Sequence, residues 1–289
     1  MGPTRARLDA RRWHFQHGPI DLVLEAFGPD AALSAGYERA WRRFATVLDE
    51  LVAELRALRE PLAQDPALTG AVARRMVAAC LPHCDTYITP MAAVAGAVAE
   101  ELLQALVAGG DLAKAYVNNG GDIALHLEAG ESFRIGLVAD PDRGARHGHR
   151  VAVDGSFEVT AALPVRGVAT SGWRGRSWSL GIADSVTVLA ATAAAADAAA
   201  TMIANAVNVD HPAVRRRPAL EVDDDTDLGR LPVTVGVGAL PDAAVDAALA
   251  AGVRRAEALR ARGLVWGAVL VLQARVAVVG ALAASARLH

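Results

Sequence analysis

Lysine is nearly missing from this chain: Lys114 is the only one among 289 residues. Chemistry that needs a lysine, such as a P-loop cradle or a Schiff base, therefore has a single candidate position. Cysteine is scarce as well. Cys80 and Cys84 lie four apart in a stretch that reads as helix, and they predict buried thiols in a reducing compartment rather than a disulfide. Aromatic residues make up 4% of the chain against an apolar fraction of 53%, so the core has to be built from aliphatic and small side chains on closely packed helices. A formal charge of -3 lacks the basic excess that phosphate backbones demand, which excludes nucleic acid as the main partner. No apolar segment follows the basic residues 1–12, so the chain reads as cytoplasmic, without a secretory leader. A long uninterrupted apolar run is also lacking. Residues 263–284 come nearest, but Gln273 and Arg275 interrupt them, and an arginine in mid-span costs about 2.5–3.5 kcal/mol. That stretch predicts a buried hairpin or strand pair, and no membrane partner is expected.

The length suits one large domain or two closely joined lobes. Alternation and a Gly18-Pro19 break predict two strands over 13–27. Apolar residues at Tyr37, Trp41, Phe44, Val47, Leu48, Leu51, Leu55 and Leu58 predict one amphipathic helix over 30–60, ended by Pro61. Further helices are expected at 68–81, closed by Pro82, and at 91–108, where Gly96 would permit close backbone approach. Strands are expected at 115–118, 123–127, 133–138, within 151–168, and at 185–190, with a helix of small residues following over 191–207. Residues 140–149 read as an exposed loop carrying His147 and His149. Residues 211–230, three arginines and then an acidic run, read as a flexible connector. A strand at 233–237, a helix at 241–262 and one or two strands within 264–279 complete the pattern. Strands come in runs instead of alternating regularly with helices, which predicts an α+β fold with mostly antiparallel sheet.

Several groups of residues carry potential chemistry. Asn118-Asn119-Gly120-Gly121-Asp122 lies between two strands, where paired glycines let a ligand approach the main chain and exposed amides can cradle an anion. The same residues suit an ordinary hairpin turn, since Asn-Gly favours one. Thr170-Ser171-Gly172 ends a strand, and its hydroxyls can bind a phosphate or close the turn. Ser171 has no His-plus-acid set at recognisable spacing, so it reads as a binding or structural residue more than a nucleophile. Arg174 and Arg176 are either phosphate contacts or surface residues. Asp197 and Thr201 are four apart on a helix, so they share a face. A carboxylate and a hydroxyl suit a hard cation such as Mg²⁺, although a polar stripe or a Thr201 bond to the Asp197 carbonyl gives the same pattern. Asp184 is a further acid near these elements. Cys80, His83 and Cys84 are broken by Pro82 and lack a second ligand pair, which argues against a soft-metal site. His14 and His17 lie on the first strand, and His17, beside the turn, is either a structural residue or one that reaches a site.

Taken in order, Tyr116 to Ile123, Val168-Ala169-Thr170-Ser171-Gly172, and Ser185 to Val188 followed by Ala196-Asp197-Ala198-Ala199-Ala200-Thr201 resemble the ApbE family of FAD:protein FMN transferases. His17-Gly18-Pro19-Ile20-Asp21-Leu22, the stretch from Gly175 to Asp184, and residues 263–273 look like the ApbE-related group called UPF0280, a resemblance that extends over nearly the whole chain. It implies an ApbE-like fold. It also implies a flavin-nucleotide or other anion pocket at Asn118, Gly120, Gly121, Asp122, Thr170, Ser171 and Gly172, with Mg²⁺ on Asp197 and Thr201. The implied chemistry is metal-assisted attack on the FAD pyrophosphate, passing FMN to a protein acceptor.

Two departures from the transferase pattern stand out. Residues 173–185 lack the histidine and proline of the family's His-x-Ile-x-Asp-Pro stretch, and Gly96 is followed by Ala97 where the family has lysine. These losses leave three readings open. The first is an ApbE-like protein that binds FAD, FMN or another phosphorylated small molecule, for flavin transfer or cofactor maturation. The second is a metabolic enzyme using Asp122, Asp184 and Ser171 on a different substrate. The third is a non-catalytic partner subunit or homo-oligomer joined through the apolar helices.

Overall fold

The computed structural model describes residues 2–137, 155–175, 177–280 and 287–288. The expected loop with His147 and His149, Arg176, and positions 281–284 of the apolar run lie outside the described residues. The chain divides into two compact units. Unit 1 comprises Met1–Ser132, Thr160–Ala169 and Ala190–Ala198, and unit 2 comprises Phe133–Val159, Thr170–Leu189 and Ala199–His289.

Unit 1 is organised by hairpins. Strand β2 (Trp13–His17) pairs antiparallel with β3 (Ile20–Phe27) across Gly18-Pro19, where Gly18 has φ 55°. On β3 the alternate residues Ile20, Leu22, Leu24 and Ala26 are buried, the period-2 pattern of a sheet with one packed face. Strand β1 (Thr4–Arg7) pairs with β2, although its four residues are all exposed and its sequence does not alternate. The charged N-terminus is therefore strand, held by backbone pairing. On the other side β3 pairs with β4 (Lys114–Asn119), which turns through Gly120-Gly121 into β5 (Asp122–Leu127). The sheet of unit 1 is extended at Ile123↔Val168 and Ala124↔Gly167 by strand β8 (Gly167–Ser171).

Helices cover the packed face of that sheet. Helix α1 (Asp30–Ala53) buries Tyr37, Ala40, Phe44, Val47 and Leu51, and Phe44 meets Phe15 with ring centroids 5.5 Å apart. The expected single helix over 30–60 is interrupted at Glu54, and the short α2 (Leu55–Leu58) follows. The break has a distant cause. The Glu54 carboxylate accepts bonds from Thr69 N–H at 2.7 Å, Thr69 Oγ1 at 2.9 Å and Gly70 N–H at 3.1 Å. The same contacts fix Thr69 and Gly70 ahead of α3 (Ala71–Cys80), which starts later than expected. Pro82 sits inside a 3₁₀ turn, Leu81–His83, instead of ending the helix. A second 3₁₀ turn, Pro90–Ala93, leads into α4 (Val94–Val107). Arg43 and Arg75 tie α1, α3 and α4 together through Glu50, Glu100 and Glu101. Among the described residues, Pro90–Val107 is long and apolar enough to cross a membrane by length and composition, and 50% of it is buried inside the protein.

Unit 2 contains the fully buried strands β9 (Ser185–Ala190) and β12 (Gly267–Leu272), which pair antiparallel, with β13 (Arg275–Gly280) beyond β12. The hairpin expected from the apolar C-terminal run is present as β12–β13. Strands β6 (Ser132–Leu137), β7 (Gly155–Thr160) and β14 (Arg287–Leu288) form a three-stranded sheet. The expected flexible connector contains β10 (Val214–Pro218), paired antiparallel with β11 (Pro232–Val237). Its three consecutive arginines read as a charge run, yet on the strand their exposure alternates, with Arg215 and Arg217 exposed and Arg216 half-buried. Helix α5 (Ala193–Ala206) passes from unit 1 into unit 2, and α6 (Asp242–Ala261) packs on β12 and β13.

Candidate functional site

In unit 1 the first turns of α4 and α5 meet without side chains between them. A Cβ at Gly96 would stand 2.3 Å from the Ala193 carbonyl oxygen, and one at Gly167 would stand 2.1 Å from the Thr192 carbonyl. Only glycine fits at either place, so the close approach expected of Gly96 is realised against the start of α5. Each helix then caps the other. Asp197 Oδ2 accepts a 2.9 Å bond from Gly96 N–H, and Ala95 N–H also donates to this carboxylate. In return, Glu100 Oε2 accepts from Ala194 N–H at 3.4 Å, while Thr192 Oγ1 accepts from Ala195 N–H at 3.2 Å. Helix α4 has no cap from its own N-cap residue, Ala93, so the acceptor arrives from α5.

This arrangement places the positive ends of two helices beside two carboxylates. Asp197 has its carboxyl raised well above the ordinary value of 3.8, first by desolvation and then by the nearby charge of Asp122, against the lowering effect of the Gly96 and Ala95 amides. Asp122 begins β5 and is half-buried. Asn119 Nδ2 donates to Ala95 C=O at 3.1 Å, fastening the Gly120-Gly121 turn to the start of α4. Asn118 has a different task, because its Oδ1 accepts from Gly121 N–H at 2.8 Å and closes the turn. Gly120 and Gly121 have φ of 64° and 117° and are exposed. The turn is thus a hairpin with exposed backbone at positive φ, and the two sequence readings of it are compatible.

Unit 2 carries the other expected residues. Thr170 and Ser171 end β8, and Thr170 Oγ1 lies 2.9 Å from Thr187 Oγ1. Gly172 packs directly on Asp184, whose carbonyl oxygen would be 2.5 Å from a Cβ there. The Asp184 carboxylate is occupied by its own neighbours. It accepts from Arg174 Nε at 2.9 Å, Trp173 Nε1 at 3.2 Å and Gln273 N–H at 2.6 Å. These bonds make it the anchor of the loop after β8 and of the β12–β13 turn. Thr201 lies one helical turn beyond Asp197 on α5 and is half-buried.

The cysteine expectation needs correction. Cys80 is buried, but Cys84, just past the 3₁₀ turn, is exposed, and both are free. Among the described residues no group of three or more His, Cys, Asp or Glu is placed to hold a metal ion. His14 and His17 point to opposite faces of β2. His14 bonds Asp21 at 2.9 Å, whereas His17 is buried. Lys114, the lone lysine, pairs with Glu131 at 2.9 Å. The sequence reading passed over Ala95, Asn119 and Glu100 as site residues. The signals available for them were the second asparagine of the pair and the acid standing one turn after Gly96.

The residues Asp122 and Asp197 suit a hard cation. A carboxylate has about four lone-pair positions, so two amide bonds leave Asp197 with capacity. Mg²⁺ is held by one or two carboxylates and completes its shell with water and phosphate oxygens. Two mutually repelling, partly desolvated acids are the donor set that such a cation relieves.

A mixed helix and antiparallel-sheet protein with glycine-packed helix ends and paired acids is the class these features define. A family model described as AbpE bacteria matches residues 5–282, and the chain belongs to this ApbE-type family, in its UPF0280 group. It is similar to a UPF0280 protein of Methanopyrus kandleri, 36% identical over 207 residues that cover 71% of this chain and 78% of that one. A UPF0280 protein of Methanothrix thermoacetophila is 39% identical over 126 residues, covering 43% of this chain and 48% of the relative. Among solved structures, the apo form of a Pseudomonas stutzeri flavinyl transferase ApbE aligns with TM-score 0.47 and 13% identity, over 96% of this chain and 92% of that one. The ApbE protein of Thermotoga maritima aligns with TM-score 0.42 and 14% identity, over 69% and 87%.

Proposed function

We propose that this protein binds a flavin nucleotide or a closely related phosphorylated small molecule together with Mg²⁺, and acts in flavin transfer or cofactor maturation. The observation that carries the reading is the carboxylate pair Asp122 and Asp197 set against the amides that open α4. Helix N-termini favour anions and paired acids favour cations, and a metal–phosphate ligand supplies both signs at once. Asp197 and Asp122 would hold the metal in this reading, with Thr201 one turn further along α5. When bound, the cation would neutralise phosphate charge and orient the group undergoing attack. The exposed Gly120-Gly121 backbone would let the ligand approach the main chain. Glu100 stands at α4 where the transferase pattern has a basic group nearby, and its carboxylate is turned to the first turn of α5. That difference favours binding and maturation over the complete transfer reaction.

Isothermal titration of the purified protein with FAD and with FMN, with and without Mg²⁺, tests the proposal. The expected result is saturable, Mg²⁺-dependent binding that Asp197→Asn abolishes while circular dichroism stays unchanged. Absence of heat with either flavin in the presence of Mg²⁺ rejects the flavin reading. A thermal-shift response to a different small acid under the same conditions would favour a metabolic enzyme on this scaffold.

A further inference from the structure

His17 ends β2 with 7% of its surface exposed, and its Nδ1 is buried without a hydrogen-bond partner. Its ring meets Phe44 of α1 edge-on at 6.3 Å. A residue serving only to fill that space would be leucine or phenylalanine, because an unserved ring nitrogen costs free energy and a hydrocarbon does not. The strand register shows on which face of the sheet this ring lies. His17 pairs with Ile20 and Leu22 pairs with Asn119. Directly paired residues share a sheet face, as do residues two apart on one strand, so His17, Ile20, Leu22 and Asn119 all lie on the same face. The Phe44 contact and the Asn119 bond to Ala95 identify it as the face beneath α1 and α4. Continuing the register by two residues brings Ile20 level with Gly121. His17 and Gly121 therefore occupy one row across the end of the sheet, two strand spacings or about 10 Å apart. The first amides of α4 and the carboxylate of Asp197 are at this same end.

We propose that His17 is a ligand-contacting residue of this site, its imidazole hydrogen-bonding an oxygen of the phosphorylated molecule held at the start of α4. The inference rests on the phosphate-binding reading given above and adds a residue to it. The imidazole also explains the hairpin beside it. Gly18 turns the chain at positive φ, and a Cβ there would stand 2.9 Å from Leu48 Cδ2, so the turn is pressed onto α1 and holds the ring in place. The nitrogen has no protein partner, and contact with a ligand oxygen requires the ring to turn out of its buried position.

The test combines titration calorimetry with ¹⁵N-histidine NMR, using FMN and inorganic pyrophosphate as probes, each with Mg²⁺. Saturation of the wild-type protein should shift the His17 ring nitrogens. His17→Phe should fold with undiminished stability and bind at least about tenfold more weakly, the loss expected for one charge-assisted bond. His17→Asn, which retains a polar group near Nδ1, should recover part of that loss. If His17→Phe binds like wild type while Asp197→Asn does not bind, His17 is a packing residue and the phosphate site survives without it. If the wild-type protein binds neither probe, both readings fall. Should His17→Phe fail to fold, the wild-type NMR titration settles the matter, and ring signals that stay in place at saturation overturn the proposal.

Discussion

Asp197 Oδ2 accepts a 2.9 Å hydrogen bond from the N–H of Gly96, a residue 101 positions earlier in the chain. The aspartate is therefore a helix cap as well as an acid, and substitution separates the two roles. Asp197→Asn keeps an oxygen acceptor for the α4 amides and removes the charge. Asp197→Ala loses the acceptor, and losing an N-cap costs about 1 kcal/mol. The asparagine variant should accordingly be the more stable of the two by about that amount in urea denaturation. Equal midpoints would show that the Gly96 bond contributes nothing.

The raised Asp197 carboxyl fixes the sign of a pH effect. Its folded form holds the proton more tightly than the unfolded chain, so between 3.8 and the raised value the folded state binds more protons. Stability contributed by this group is present at low pH and is lost as pH rises through that window. The wild-type protein should thus lose stability relative to Asp197→Asn as pH is raised from about 4 towards neutrality. Comparing the two proteins cancels other carboxylates such as Glu50 and Glu54, which shift the opposite way. Added Mg²⁺ should shrink the difference at the upper end, because a cation offsets the repulsion from Asp122. A wild-type curve parallel to that of the variant would contradict the coupling of the two acids.

Local features were the legible ones. Alternation at Ile20, Leu22, Leu24 and Ala26, with Gly18-Pro19 before them, was enough to place the first hairpin, because period and turn chemistry agree there. The i, i+4 spacing of Asp197 and Thr201 drew attention to the helix that caps α4. It could not reveal Gly96, since capping between helices leaves no trace in local spacing. The break at Glu54 was hidden for the same reason: glutamate is a good helix former, and its partners Thr69 and Gly70 lie 15 and 16 residues away. Strand β1 has no buried residue to impose alternation, and its position is set by backbone pairing and by Arg5, which pairs with Glu38 and lies over Trp13 and Trp41. The Arg-rich β10 was hidden because three consecutive arginines carry no period of two, and its pairing with β11 comes from residues 232–237. The three bonds that tie Asp184 to its loop likewise leave no trace in local spacing.

The turn anchored by Asp184 gives a prediction of the opposite sign. Gln273 and Ala274 both lie in the left-handed region, at φ 46° and 63°, where a side chain is strained. Gln273 is held there by its N–H bond to Asp184 and by side-chain bonds to Leu240 N–H and Gly238 C=O. Ala274 is exposed, and glycine at that position relieves strain without removing a contact. Ala274→Gly should stabilise the protein by up to about 1 kcal/mol, whereas Asp184→Asn should destabilise it by about 1–3 kcal/mol. Urea midpoints measure both. A destabilised Ala274→Gly would mean that the turn is not strained.

The two cysteines differ in reactivity for a structural reason. Burial, with a further contribution from Asp197, pushes the Cys80 thiol well up, and its Sγ sits 3.8 Å from Pro90 C=O. Cys84 is exposed. Only thiolates attack disulfide reagents, so Cys84 should react rapidly in the native protein and Cys80 only after denaturation. A thiol titration with Cys84→Ser as control reads this directly. Rapid reaction of that control would show that the end of α3 opens in solution.

Two glycine substitutions separate crowding from backbone strain. Gly96→Ala puts a methyl 2.3 Å from the Ala193 carbonyl oxygen, so α4 and α5 have to move apart. Overpacking of this kind costs about 1–3 kcal/mol, and here it also breaks the reciprocal caps of Asp197 and Glu100. Gly121→Ala meets nothing within 4 Å, but its φ of 117° is one that L residues rarely adopt. Its cost is backbone strain of about 1–3 kcal/mol, confined to the turn. Gly96→Ala should therefore be the more destabilised of the two in urea, and they should also differ in Mg²⁺-dependent nucleotide binding. Gly96→Ala displaces the carboxylate from the amides it faces and should lose binding by more than about tenfold, while Gly121→Ala should retain most of it. The reverse order would locate the ligand at the turn and away from the helix ends.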